Sequence, residues 1–72
     1  MVKIEFDILT TTNVVLQVVN VDARKHTPVT QGFFKPGHYT YYWDGSNMPA
    51  GHYLVWLNND QVPITRKFVL EN

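Results

Sequence analysis

The sequence contains no cysteine among its 72 residues. This absence excludes a disulfide framework, a thiolate zinc site and a redox cysteine pair. Neither sign of charge dominates, because six Lys and Arg residues balance six Asp and Glu residues. A neutral chain without a run of Lys or Arg lacks the electrostatic footprint of a nucleic-acid-binding protein. The length allows one domain with a small core.

Long apolar runs and helical periodicity are also missing. No apolar stretch is long enough to span a bilayer. Lys3, Glu5 and Asp7 interrupt the beginning of the sequence, so it does not resemble a signal peptide, and we expect any export signal to lie upstream in a longer parent protein. Alanine occurs only at Ala23 and Ala50, and no window repeats apolar residues with the period of a helix.

What the sequence does contain is typical of β-structure. Hydrophobic residues make up 44%, aromatic residues 14% and charged residues only 17%, and Val, Thr, Tyr and Phe favour pleated strands. Val2–Ile8 alternates between apolar and charged residues, whereas Val14–Val21 is apolar on both faces, which predicts a central strand covered on both sides. Further strands are predicted at Pro28–Phe34, 38–43, His52–Leu57 and Val62–Leu70.

Turn residues separate these strands at intervals of roughly ten residues. Lys35-Pro36-Gly37 has Pro and Gly at the two central positions of a type II turn. Asp44–Asn47 turns the chain, and Asn58–Asp60 has the composition of a hairpin turn. The pattern predicts an all-β domain, a small antiparallel β-sandwich of six to seven short strands.

Residues that could carry out catalysis are scattered. The six acids fall on different turns and strands, and Ser46, the only serine, lies in a turn where its hydroxyl is expected to bond local backbone. We therefore predict that the protein is not an enzyme. His38 and His52 each follow a turn and could meet at one end of the sandwich, but a metal would need a third ligand. Ordinary surface histidines are the favoured interpretation, with no metal and no cofactor.

The aromatic residues divide between the two faces of their strands. Trp43 and Tyr53 are predicted to fill the core. Tyr42 and Trp56 have the opposite parity and form a candidate exposed aromatic surface. Such a surface could stack on sugar rings or dock a protein, or it could be a cross-strand pair that stabilises a sheet.

Three segments carry a family resemblance: Pro36–Gly45, Met48–Leu57 and Thr65–Leu70. Together with Ile4-Glu5-Phe6 and Leu16–Asn20, they resemble, in order, the C-terminal sorting domain of type IX (Por) secretion substrates in Bacteroidetes. The sequence is similar as well to the related Ig-like domain of the flagellar hook-capping protein. The resemblance covers nearly the whole chain and implies an Ig-like fold. It implies that residues 1–72 are a single sorting domain from a longer secreted protein.

By this resemblance, the domain would direct a fused cargo through the type IX translocon, by way of the periplasm, to the cell surface or the medium. The expected partners are the outer-membrane translocon, its shuttle and a sortase. An exposed last strand would also allow a strand-paired or strand-exchanged homodimer. The residues expected to bind a partner are Gly51, Tyr53, Lys67, Phe68, Val69 and Leu70.

Two departures from the family pattern stand out. Ala23 stands where the family usually has glycine after the second strand, so we expect either a different turn there or unusual backbone dihedrals at Asp22. An Asn-Pro motif before the first strand is missing. Two other functions remain open, a carbohydrate-binding module using Tyr42 and Trp56, and a structural Ig-like spacer of a secreted protein.

Overall fold

A computed structural model describes residues 1–59 and 63–71. These residues form an all-β structure, as predicted. The part of the chain described contains no helix long and apolar enough to cross a membrane. The six strands are β1 (Val2–Ile8), β2 (Thr12–Asn20), β3 (Lys25–Phe34), β4 (Gly37–Trp43), β5 (Gly51–Asn58) and β6 (Ile64–Leu70).

The strands form two antiparallel sheets of unequal width. One contains β1 and β4, and the other has the order β3-β2-β5-β6. If β1 and β4 are taken as strands B and E of an immunoglobulin domain, the four-stranded sheet has the order C′-C-F-G. The arrangement is therefore an Ig-like sandwich without the strands that flank B and E in larger domains. The predicted central position of β2 is confirmed.

The core lies between the inner faces of the two sheets. Alternation in β1 turns Ile4 and Ile8 inward, while Lys3 and Glu5 remain exposed. The predicted burial of Trp43 and Tyr53 is confirmed. The outer face of β2 is covered less than predicted. Val19 is buried there, but Val15 is only half-buried, and Val21 lies beyond the end of the strand and is exposed. The buried core consists of Ile4, Ile8, Val14, Leu16, Val18, Trp43, Tyr53 and Leu57.

The strand predicted at Pro28–Phe34 begins earlier, at Lys25. Its register against β2 shifts, because Leu16 lies opposite Thr30 whereas Gln17 lies opposite Pro28. Val29 is thus an extra residue, a β-bulge. Proline inside a strand is tolerated here because β3 is an edge strand and the ladder is already interrupted.

Several connections differ from the sequence-based expectation. The Lys35-Pro36-Gly37 segment joins strands of different sheets, and the φ of Gly37 is 157°, far from the value of about +80° that a type II turn requires. After β2, Arg24 rather than Asp22 adopts a positive φ, of 54°. Asp60 and Val62, predicted in the last hairpin, lie outside the described residues.

Candidate partner-binding edge

The six residues expected to bind a partner lie together at one end of the β5–β6 hairpin. Gly51 pairs with Leu70 and Tyr53 with Phe68, and these pairs flank the one that contains Val69. Since β6 is the last strand of its sheet, its second edge has no neighbour among the described strands. We refer to Gly51, Tyr53 and Lys67–Leu70 as the β6 edge site.

The inner half of this site is part of the core. Tyr53 is only 1% exposed and stacks on Phe68 with ring centroids 5.6 Å apart. Trp43 packs against both rings, at 5.6 Å from Tyr53 and 6.1 Å from Phe68. Leu70 is half-buried against the same cluster. These residues therefore hold β6 in place, and little of their side chains is available to a partner.

A hydrogen-bond network anchors the beginning of β5. The Tyr53 hydroxyl donates to the Pro49 carbonyl at 2.5 Å and accepts from Asn20 Nδ2 at 3.3 Å. A tyrosine on this strand that bonds to backbone a few residues upstream is the tyrosine corner of Ig-like sandwiches. Asn20 Oδ1 in turn accepts from the backbone N–H groups of Asp22 and Ala23, at 3.1 and 3.2 Å. The network therefore ties the turn after β2 and the loop before β5 to the four-stranded sheet.

Position 51 requires a glycine because of its backbone conformation and its surroundings. Its φ is 149°, a backbone conformation that residues other than glycine rarely adopt. A Cβ added there would lie 3.1 Å from Asp22 Oδ2. Glycine therefore fits this strand entry, where a residue with a side chain would be strained.

The outer half of the β6 edge site is exposed. Lys67 and Val69 point away from the core, and Val69 is 59% exposed. They line a shallow cavity of about 280 Å³ together with Val21 and His52. Sequence reasoning missed these last two residues, although His52 directly follows Gly51 and has the parity opposite to that of Tyr53.

The two edges of the four-stranded sheet differ in their protection. On β3, Pro28 and the bulge at Val29 interrupt the edge, and both features hinder the addition of another strand. On β6, the register with β5 runs without a shift from Leu70 to Ile64. The described part of β6 contains no proline. Arg66 and Lys67 are charged residues that protect an edge, but β6 has neither a bulge nor a proline in its described part and is therefore the more accessible of the two edges.

Tyr42 and Trp56 do not form one surface. Tyr42 is 61% exposed on the outer face of the two-stranded sheet, whereas Trp56 lies on the outer face of the four-stranded sheet. Trp56 is half-buried beside the ring of His26, which bonds to Gln17. Within the described part of the chain, its buried indole N–H has no hydrogen-bond partner. A sugar-binding stripe built from both rings is incompatible with this geometry.

The histidines are separated as well. His38 lies at the start of β4 and His52 at the start of β5, and the short connection between these strands places the two at opposite ends of the sandwich. The possibility that they meet is therefore excluded. His38 Nδ1 instead lies 2.7 Å from Asp7 Oδ1. In residues 1–59 and 63–71, no three His, Cys, Asp or Glu side chains are arranged to hold a metal ion.

Two carboxylates have shifted ionisation. The Lys3 ammonium, 2.9 Å from Glu5 Oε1, hydrogen-bonds to this carboxylate and lowers the pKa of Glu5. The backbone N–H of Ser46 donates to Asp44 Oδ1 at 3.0 Å and, with the Ser46 hydroxyl, lowers the pKa of Asp44. Through this bond Asp44 ties down the loop that follows it. Both groups are exposed, and neither belongs to a catalytic arrangement.

Comparison with known proteins adds no relatives. The sequence matches no family model, and a search of curated proteins finds no match to it.

Proposed function

We propose that this domain is a non-catalytic C-terminal secretion signal that directs a fused cargo protein through the type IX translocon to the cell surface. The observation that supports this function best is the free edge of β6. The six residues that the resemblance implies in partner binding lie together at that edge, and an unpaired strand edge offers backbone hydrogen-bonding groups to a partner.

In this function, the residues of the β6 edge site have two roles. Lys67 and Val69 contact the translocon or its shuttle, because both side chains point outward. Tyr53, Phe68 and Leu70 act indirectly by holding β6 against the core. Gly51 keeps the entry of β5 in its extended, positive-φ conformation. The domain itself passes through the periplasm and is removed or retained at the surface.

The test is a secretion assay. The domain is fused behind a fluorescent protein carrying a periplasmic export signal and expressed in a type IX-competent bacterium. Lys67→Glu and Val69→Glu are compared with the intact domain. Point substitutions are preferable to deletion of β6, since deletion would also remove Phe68 and Leu70 from the core. We expect surface or medium fluorescence to fall severalfold and periplasmic fluorescence to rise.

Lys25→Glu is the matched control, because Lys25 is an exposed lysine on β3, the opposite edge of the same sheet. It should be exported like the intact domain. Retention of the intact, folded fusion in the periplasm would contradict the proposal. So would equal export of all four proteins. Retention of the purified domain on insoluble polysaccharide, lost on Tyr42→Ala, would instead support a carbohydrate-binding module.

A further inference from the structure

The inner face of the four-stranded sheet is wider than the sheet that covers it. Among the described strands, β1 and β4 alone lie over β3, β2, β5 and β6. The uncovered part of this inner face lies on β6, where Ile64 and Arg66 point to the same side as Phe68 and Leu70. Even so, Ile64 is 44% exposed and Arg66 is exposed. This part of β6 therefore lacks a covering strand in the described chain.

A groove runs between β1 and β6 where that strand is lacking. Its volume is about 360 Å³. Residues 3–7 of β1 form one wall, Ile64 and Arg66 form the other, and Leu16, Val55 and Leu57 lie between them. In an Ig sandwich, strand A lies beside strand B, which corresponds to β1. The groove thus has the position and the apolar lining of a seat for an extended strand.

Charge in the groove indicates what kind of strand would fit. Lys3 forms an ion pair with Glu5, and Asp7 Oδ1 lies 2.7 Å from His38 Nδ1. Arg66 Nη1 donates to the carbonyl of the adjacent Thr65 at 3.0 Å, and no carboxylate of the described residues forms an ion pair with it. An inward carboxylate on the bound strand would complement this guanidinium.

The chain's own strands do not have this pattern. The acidic residues within the described strands are Glu5 and Asp7, and both point outward from β1. An apolar strand with one inward acid is therefore expected from a different protein rather than from a second copy.

We propose that the groove between β1 and β6 binds an extended segment of another protein by strand addition to the free edge of β1, the segment's inward side chains being apolar except for one carboxylate that faces Arg66. This binding is separate from the β6 edge site and does not depend on the secretion function. It would complete the narrower sheet with a third strand and cover Ile64.

Amide chemical-shift mapping on the isotope-labelled full chain tests this. The probe is the peptide Val-Thr-Val-Thr-Glu-Thr-Val-Thr-Val with a solubilising polyethylene glycol tail, and the control peptide has Lys in place of Glu. We expect shifts in residues 3–7 and at Arg66. The Glu peptide should bind about fivefold more tightly than the Lys peptide, as one exposed ion pair contributes up to ~1 kcal/mol.

The variant Arg66→Glu should reverse the order of the two peptides. Arg66 is exposed, so the variant is expected to fold, and its spectrum verifies this. An unchanged preference in Arg66→Glu would overturn the proposal, as would the absence of shifts in residues 3–7 at the highest soluble peptide concentration. Chemical-shift changes confined to the outer face of β6 would also overturn the proposal. So would a peptide-free dimer in sedimentation that already protects the β1 amides, since a second copy would then fill the groove.

Discussion

Asn20 and Tyr53 face each other across β2 and β5, and a hydrogen bond joins their side chains. Asn20 is 7% exposed and Tyr53 1%, so neither can exchange this bond for water. Through their other bonds, to Pro49 and to the turn after β2, they connect two loops to the central pair of strands. The β6 edge site rests on this pair, because β6 packs against Tyr53 through Phe68.

Removal of the Tyr53 hydroxyl should destabilise the domain. In Tyr53→Phe, Asn20 Nδ2 and the Pro49 carbonyl each lose their bond to this hydroxyl, at a cost of about 1–3 kcal/mol. Urea denaturation measures the change. Tyr42→Phe is the control, since the hydroxyl of that exposed ring forms no hydrogen bond with the described residues, and the stability of this variant should change by less than about 0.5 kcal/mol. Equal effects would refute an anchoring role for the Tyr53 hydroxyl.

Gly45 is needed for the packing of Trp43. A Cβ at Gly45 would lie 2.8 Å from Trp43 Cζ3 and 3.1 Å from Leu70 Cδ2. We expect Gly45→Ala to cost about 1–3 kcal/mol through overpacking. Because Phe lacks the indole atoms nearest Gly45, the double variant with Trp43→Phe should be more stable than the sum of the single effects predicts. Additivity within about 0.5 kcal/mol in denaturation curves would disprove this coupling.

Acid should weaken the loop that contains Asp44. The folded-state pKa of Asp44 is lowered, so its stabilising contribution is present above the pKa of the unfolded chain, about 4, and is lost as the pH falls through the lower folded value. Glu5 acts in the same direction. We expect the urea midpoint to fall between about pH 5 and pH 3. Asp44→Asn keeps an acceptor oxygen but cannot titrate, and should show a flatter dependence; an equally steep one would contradict this assignment.

The accessible edge of β6 predicts self-association through that strand. Sedimentation velocity at rising concentration should show a dimer, and Val69→Lys should weaken it about tenfold or more by placing a charge beside the pairing edge. Phe33→Lys is the control on the opposite edge, because Phe33 is 81% exposed on β3. A dimer removed by Phe33→Lys and retained by Val69→Lys would assign the contact to β3 instead. A monomer at all concentrations would contradict the prediction that the chain self-associates through β6.

The local alternation of apolar and polar residues was sufficient to predict most of the strands and the faces of β1 and β4. Alternation in β1 and β4 predicted that Ile4 and Trp43 are buried and that Tyr42 is exposed, because successive side chains of a strand point to opposite sides. The early start of β3 was missed, since Pro28 ordinarily marks a strand boundary and the bulge beside it depends on β2.

The amino-acid sequence by itself thus determined the all-β class, the core aromatics Trp43 and Tyr53, and the inward and outward sides of β1 and β4, all of which follow from side-chain periodicity. Only the tertiary structure decided which strands are neighbours. It made β6 an edge, left the groove beside β1, separated His38 from His52 and placed Tyr42 and Trp56 on opposite faces. These relationships depend on hydrogen bonds and packing between residues distant in the chain, and a local pattern of apolar and polar residues does not specify them.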